Sequence, residues 1–92
     1  MVSVISWQLS LPGCHSLKDK RMIVRSLRDR IRHRFNVSVA ETDYQDVWTR
    51  AELAVAVVSG ERAFAATVLD KVDRLVCSDG RALVSATHRE MY

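Results

Sequence analysis

Basic side chains at helical spacing are the residues of this 92-residue sequence with the clearest chemical potential. Between positions 18 and 34 there are eight Lys or Arg residues and two Asp residues, so this segment carries a net charge of +6. The other positions hold six basic and nine acidic residues, a net charge of −3. Five of the eight cations recur at steps of three and four residues and form what we call the basic stripe: Lys18, Arg21, Arg25, Arg28 and Arg32. On a helix this spacing lines them along one flank over about 21 Å.

A row of guanidinium groups suits a phosphate backbone, because each planar fork donates two parallel hydrogen bonds to phosphate oxygens. We therefore predict a binding module that contacts structured RNA or a ribosomal subunit through the basic stripe. The strand at 53–58 has no aromatic side chain on which bases would stack, so the contact would use phosphates and shape, with little sequence readout. Two alternatives stay open. The stripe can bind an acidic protein partner without nucleic acid, or it can be a solvated face paired with Asp29, Asp70 or Asp73.

The remaining reactive side chains form no catalytic or metal-binding pattern. Glu41, Asp43 and Asp46 are close in sequence and could hold a divalent cation, but they lack EF-hand spacing, and turn formation accounts for both Asp residues. Cys14 and Cys77 belong to no Cys-x-x-Cys pair, which predicts free thiols in a reducing compartment, with a disulfide between them left open. Three glycines and no phosphate-binding loop predict a protein without enzymatic activity, metal, cofactor or small-molecule substrate.

The stripe must be carried by a helix that follows an N-terminal strand. Apolar and polar residues alternate over 2–11, which predicts a half-buried strand, and Pro12-Gly13 ends it with a turn. Ser16 has the position and type of a helix N-cap, and the helix is expected over 17–35 with Asn36 as a left-handed C-cap. Its apolar sector is formed by Leu17, Val24, Leu27, Ile31 and Phe35.

Four more elements follow along the chain. Alternation over 37–41 predicts a second strand, a polar turn covers 42–46, and the chain returns from Trp48 into a strand at 53–58 that is apolar on both faces. Such a strand belongs at the centre of a sheet, and these two strands should form a long hairpin. A second helix is expected over 61–77, capped by Ser59 or Gly60, and a last strand over 82–91 after the Asp79-Gly80 turn.

This order predicts an α+β protein of ferredoxin-like βαββαβ topology, with a four-stranded antiparallel sheet and two helices on one face. Residues 1–92 are expected to form one domain, because the chain is too short for two cores. The sheet face opposite the helices would carry Val4, Ala54, Ala56 and Val58, which suggests self-association and a homo-oligomer. The N-terminus lacks the pattern of a signal peptide and no apolar run reaches membrane-spanning length, so a cytoplasmic location is expected.

Several stretches resemble a family of small bacterial proteins, the YlxP-like family, which has a domain of unknown function. They are PGCHSLKDKR at 12–21, RFNVSVAE at 34–41, DYQDVW at 43–48 and AVVS at 56–59. The resemblance covers about 2–90 and is loosest in the C-terminal strand. It implies a ferredoxin-like fold and, through the genes that often neighbour family members, an association with translation. It carries no catalytic residue over to this chain.

Overall fold

The computed structural model describes residues 1–92 and has the predicted order of strands and helices. The elements are β1 (Val2–Ser10), α1 (Leu17–Arg34), β2 (Ser38–Asp43), β3 (Arg50–Val58), α2 (Arg62–Cys77) and β4 (Leu83–Met91). The strands form one antiparallel sheet in the order β2-β3-β1-β4. The predicted α+β, ferredoxin-like arrangement is confirmed, with β3 in a central position and β2–β3 as a hairpin.

The core lies between the two central strands and the helices. Side chains alternate between buried and partly exposed along β1 and β3, and the buried set faces both helices. Trp7 is completely buried there, and its indole Nε1 donates a 2.8 Å hydrogen bond to Asp73 Oδ1 on α2. This bond satisfies the one polar atom of the largest core side chain and ties α2 to β1.

Local sequence determines where α1 begins. Ser16 is its N-cap, as predicted: the Ser16 hydroxyl accepts a 3.1 Å bond from the Asp19 amide. The helix ends differently from the prediction, because Asn36 is not left-handed and Phe35 is the C-cap, in an extended conformation. The Phe35 amide closes the last turn on Ile31, and the Phe35 side chain packs against the core, so the chain enters β2 without a left-handed residue.

The start of α2 also differs from the prediction. Its N-cap is Glu61, which makes no side-chain cap, and neither Ser59 nor Gly60 caps the helix. Ser59 Oγ instead accepts from the Glu61 amide at 3.0 Å, a turn-type bond two residues along the chain that lies before the first helical residue. The apolar residues of α2 face the core: Ala65, Leu69, Val72, Leu75 and Val76.

The sheet face away from the helices is lined mainly by small side chains. Val4, Ala54 and Ala56 are only partly covered and Val58 is largely exposed, as the sequence predicts for an open face. Neither helix is long and apolar enough to span a membrane.

Candidate nucleic-acid interface

The buried side of α1 fixes which flank the basic stripe occupies. Val24, Leu27 and Ile31 point into the core, and the stripe residues follow beside them at about 100° to 180° around the helix from Leu27. The stripe lies on the side of α1 nearest the edge strand β2, because Arg32 Nη2 donates a 3.1 Å hydrogen bond to the carbonyl oxygen of Val39 in β2. The flank of α1 that carries the basic stripe therefore forms a continuous surface with the edge of β2.

The five stripe residues are not equivalent. Lys18, Arg21 and Arg25 are exposed and make no hydrogen bond within the protein. Arg28 is half-buried, and its Nε is covered and lacks a partner. Arg32 is exposed but uses one terminal nitrogen on the β2 edge. Three residues are thus fully available to a ligand, and two also serve the packing of α1.

No residue of the basic stripe forms an ion pair. The ion pairs that involve Lys or Arg all lie elsewhere: Lys20–Glu41, Arg30–Asp79, Arg81–Asp79 and Arg89–Asp70. Two acidic residues that were possible partners of the stripe bond to other residues. Asp70 pairs with Arg89, and Asp73 accepts hydrogen bonds from Trp7 and Cys77. The positive charge of the stripe is therefore not neutralised within the fold.

The three available cations line a shallow groove on the outer side of α1. Met22, Ser26 and Asp29 complete its walls. Asp29 is the only carboxylate there, so the groove remains positive overall. A surface of this kind can accept anionic oxygens from the solvent side.

Lys20 carries a positive charge but is not part of the exposed basic surface. It is a member of the basic segment, but its side chain is 1% exposed and lies 3.0 Å from Glu41 Oε2 on β2. Because this contact is off the hydrogen-bond axis, Glu41 Oε2 lacks an aligned donor, and the Lys20 ammonium donates instead to the carbonyl of Tyr44. Lys20 thus holds the β2–β3 hairpin against α1 and is not available to a ligand. At helical spacing it falls within the sector of Val24 and Leu27, a pattern that the sequence does contain.

The carboxylates around the hairpin tip do not converge on a common point. Glu41 turns toward Lys20, whereas Asp43 Oδ1 accepts a 2.7 Å bond from the amide of Tyr44. Tyr44 has a left-handed backbone, with φ of 63°, and the guanidinium of Arg50 lies 4.3 Å from its ring centre. The hairpin tip is thus organised by a turn and a cation–π contact.

A buried carboxylate that the sequence did not single out fixes the other flank of α1. The Asp79 side chain is 4% exposed and accepts from Arg30 Nη1 at 3.0 Å, from Arg81 Nε at 3.0 Å and from Arg81 Nη2 at 2.8 Å. Arg81 Nη2 also donates to Ser26 Oγ on α1. The hydrogen bonds from the Arg81 side chain, with smaller contributions from its backbone amide and the charges of both arginines, lower the Asp79 pKa from 3.8 to about 2. This network positions α1 against the loop before β4.

Both cysteines are free thiols. Cys14 is buried and Cys77 is exposed. Burial and the Asp19 charge raise the pKa of the Cys14 thiol, while partial desolvation of the sulfur and the neighbouring Asp73 carboxylate raise the pKa of Cys77. The prediction of two unpaired cysteines is confirmed, and neither thiol is activated as a nucleophile.

Comparisons with known proteins agree with this architecture. A de novo designed protein with ferredoxin fold, solved by solution NMR, superposes with a TM-score of 0.59 at 13% identity, covering 100% of this chain and 87% of the designed one. The uncharacterized protein YlxP of Bacillus subtilis (strain 168) is 39% identical over 57 residues, which is 62% of this chain and 62% of the Bacillus protein. The model of a family described as protein of unknown function (DUF503) matches residues 2–89. The chain is thus a member of the DUF503 family.

Proposed function

We propose that this protein is a non-catalytic module that binds structured RNA, in the context of a ribosomal particle, through the basic stripe on α1. The observation that carries the proposal is the absence of an internal counter-charge: every Lys or Arg ion pair in the fold lies outside the stripe. An unpaired row of cations is available to phosphates without first breaking an internal contact. Such a protein would act in the cytoplasm, where ribosomal particles are found.

The geometry also supports how such a ligand would be bound. Lys18, Arg21 and Arg25 line the groove on the outer side of α1 and would contact successive phosphates, with Arg32 extending the contact along the β2 edge. The open sheet face carries small side chains where RNA-recognition domains of similar topology use aromatic ones. We therefore expect backbone and shape recognition, with affinity that varies little between sequences of one RNA shape.

The direct test is co-sedimentation with purified ribosomal subunits in sucrose gradients at low and high salt. The informative variant is Lys18→Gln/Arg21→Gln/Arg25→Gln, because these three side chains make no internal hydrogen bond. Arg28 is left unchanged because its half-buried position would mix a folding effect with a binding effect. A matched control removes three exposed cations from α2 that are also free of ion pairs: Arg62→Gln/Lys71→Gln/Arg74→Gln.

The proposal predicts that wild type and the α2 control travel with a subunit at low salt and are released at high salt, while the stripe variant stays at the top of the gradient. Absence of the wild-type protein from every ribosomal fraction at low salt would refute it. Equal loss in both variants would indicate a general charge effect without a defined site. Salt-sensitive binding to an acidic protein, with none to RNA, would favour the alternative of a protein-interaction module.

A further inference from the structure

The two edge strands of the sheet, β2 and β4, differ in length and in the contacts of their outer backbone groups. β2 is short, has a register irregularity between Glu41 and Asp43, and its Val39 carbonyl is occupied by Arg32. β4 spans nine residues, all but Val84 exposed, and its own register irregularity lies at Ser85, so residues 86–91 pair regularly with β1. β4 is the last strand of the sheet on this side, so its outer edge has no strand partner within the chain. Proteins usually protect such an edge, because its free amide and carbonyl groups form a template for another strand.

The hydrogen-bond pattern identifies which groups of β4 are free. Val2 and Tyr92 exchange both backbone bonds, at 2.9 and 2.8 Å, so they are a hydrogen-bonded pair of the β1–β4 ladder. Because these pairs alternate along an antiparallel ladder, Glu90, His88 and Ala86 also bond to β1. The amides and carbonyls of the residues between them point outward, away from the sheet: Thr87, Arg89 and Met91.

We infer that a second copy of this chain pairs with β4, edge to edge and antiparallel, so that two four-stranded sheets become one sheet of eight strands. A two-fold axis at Arg89 places Thr87 opposite Met91 of the second copy. All three outward-facing residues then meet outward-facing residues, which satisfies six backbone groups on each chain. This inference stands independently of RNA binding.

Side chains support this register on the open face. His88 lies opposite Glu90 of the second copy, and Glu90 lies opposite the second copy's His88. These are non-hydrogen-bonded positions, where side chains approach most closely, and an imidazole N–H matches a carboxylate there. Within one chain the His88 and Glu90 side chains already meet at 2.8 Å, so the dimer would hold an alternating square of four groups. Tyr92, whose hydroxyl donates to Glu90 Oε2 of its own chain, would lie opposite Ala86 of the second copy.

At the two-fold axis Arg89 lies opposite Arg89 of the second copy, but these like charges do not oppose the arrangement. Arg89 faces the helix side of the sheet, and its guanidinium pairs with Asp70 of α2 at 2.8 Å, which neutralises it and turns it away from the edge. A two-fold axis perpendicular to the sheet leaves all helices on one side. The two basic stripes would then lie at opposite ends of the dimer, roughly 34 Å apart at about 4.8 Å per strand.

Sedimentation velocity over a concentration series tests the inference. A short edge contact predicts a reversible monomer–dimer equilibrium with Kd on the order of micromolar, so a range of about 1 to 500 µM brackets it. Thr87→Pro removes an outward amide hydrogen while leaving the β1–β4 bonds in place, and Thr87→Ala is the matched control. We expect Thr87→Pro to weaken the dimer about 10- to 100-fold and Thr87→Ala to leave it unchanged. A wild-type protein that stays monomeric throughout would overturn the inference.

A charge exchange provides a second test that does not alter the backbone. Glu90→Lys places a cation opposite His88 and should weaken the dimer, whereas the double variant His88→Glu/Glu90→Lys restores opposite charges across the axis and should recover it. Failure of the double variant to recover the dimer would argue against this register. Loss of the dimer in Ala54→Arg but not in Thr87→Pro would move the contact from the β4 edge to the open sheet face and overturn the inference.

Discussion

Replacing Asp79 by Asn tests whether a single buried carboxylate fixes α1 in position. Asp79 accepts hydrogen bonds from Arg30 on α1 and from Arg81 before β4, at 2.8 to 3.0 Å. Its pKa is about 2 in the folded protein, against 3.8 for an unperturbed carboxyl. At about 1.4 kcal/mol per pKa unit, this difference corresponds to about 2.5 kcal/mol. Arg30 and Arg81 are 42% and 49% exposed, so solvent screening lowers the expected loss for Asp79→Asn to about 1.5–2 kcal/mol.

The dependence on pH separates this effect from a simple packing defect. Because the folded-state pKa is depressed, the stabilisation is complete well above pH 3.8 and disappears as the pH falls through about 2. Urea denaturation of wild type and Asp79→Asn should therefore differ by about 2 kcal/mol near neutral pH and converge near about pH 2. Asp46→Asn is the control, because Asp46 lies exposed in the hairpin turn and its side chain makes no hydrogen bond or ion pair. A constant difference between wild type and Asp79→Asn across this range would refute the electrostatic explanation.

Three further predictions concern the polar contacts of Lys20, Trp7 and Asp73. Lys20→Met leaves Glu41 without its counter-charge and should cost about 3 kcal/mol in chemical denaturation, whereas Lys20→Met/Glu41→Gln should recover much of that loss; no recovery would contradict the pairing. Trp7→Phe removes the 2.8 Å bond to Asp73 together with core volume, and should lower the free energy of unfolding by about 2 kcal/mol; a loss below about 0.5 kcal/mol would contradict the role of that bond. Asp73→Asn removes a charge that raises the Cys77 pKa, so alkylation of Cys77 at mildly alkaline pH should become faster, and an unchanged rate would contradict this.

The sequence predicted what depends on local periodicity. Alternation over β1 identified its buried face, and helical spacing identified both the core side of α1 and the flank that carries the basic stripe. Ser16 capped α1 because a cap needs only the three residues that follow it. The strand order followed from the order of elements, since few topologies allow two crossovers around a hairpin.

Polar contacts between residues distant in sequence were not predictable in the same way. Lys20 is buried because Glu41 and the hairpin tip contact it from β2. The residue pattern of α1 alone does not identify these partners. For Asp79 the sequence predicts only a turn, because its partner Arg30 lies 49 positions earlier in the chain. Arg32 belongs to the basic stripe by spacing, but its bond to the β2 edge depends on the packing of α1 against the sheet.

The salt dependence of RNA affinity tests the proposed function most directly. If all five stripe residues contact phosphates, log K for a structured ribosomal RNA fragment should fall with log[salt] at a slope of about −3.5 to −4.5. Lys18→Gln/Arg21→Gln/Arg25→Gln should reduce the magnitude of that slope by about 2 to 3, whereas Arg62→Gln/Lys71→Gln/Arg74→Gln should leave it nearly unchanged. The same slope in wild type and in the stripe variant would contradict the assignment of the basic stripe as the RNA-binding surface.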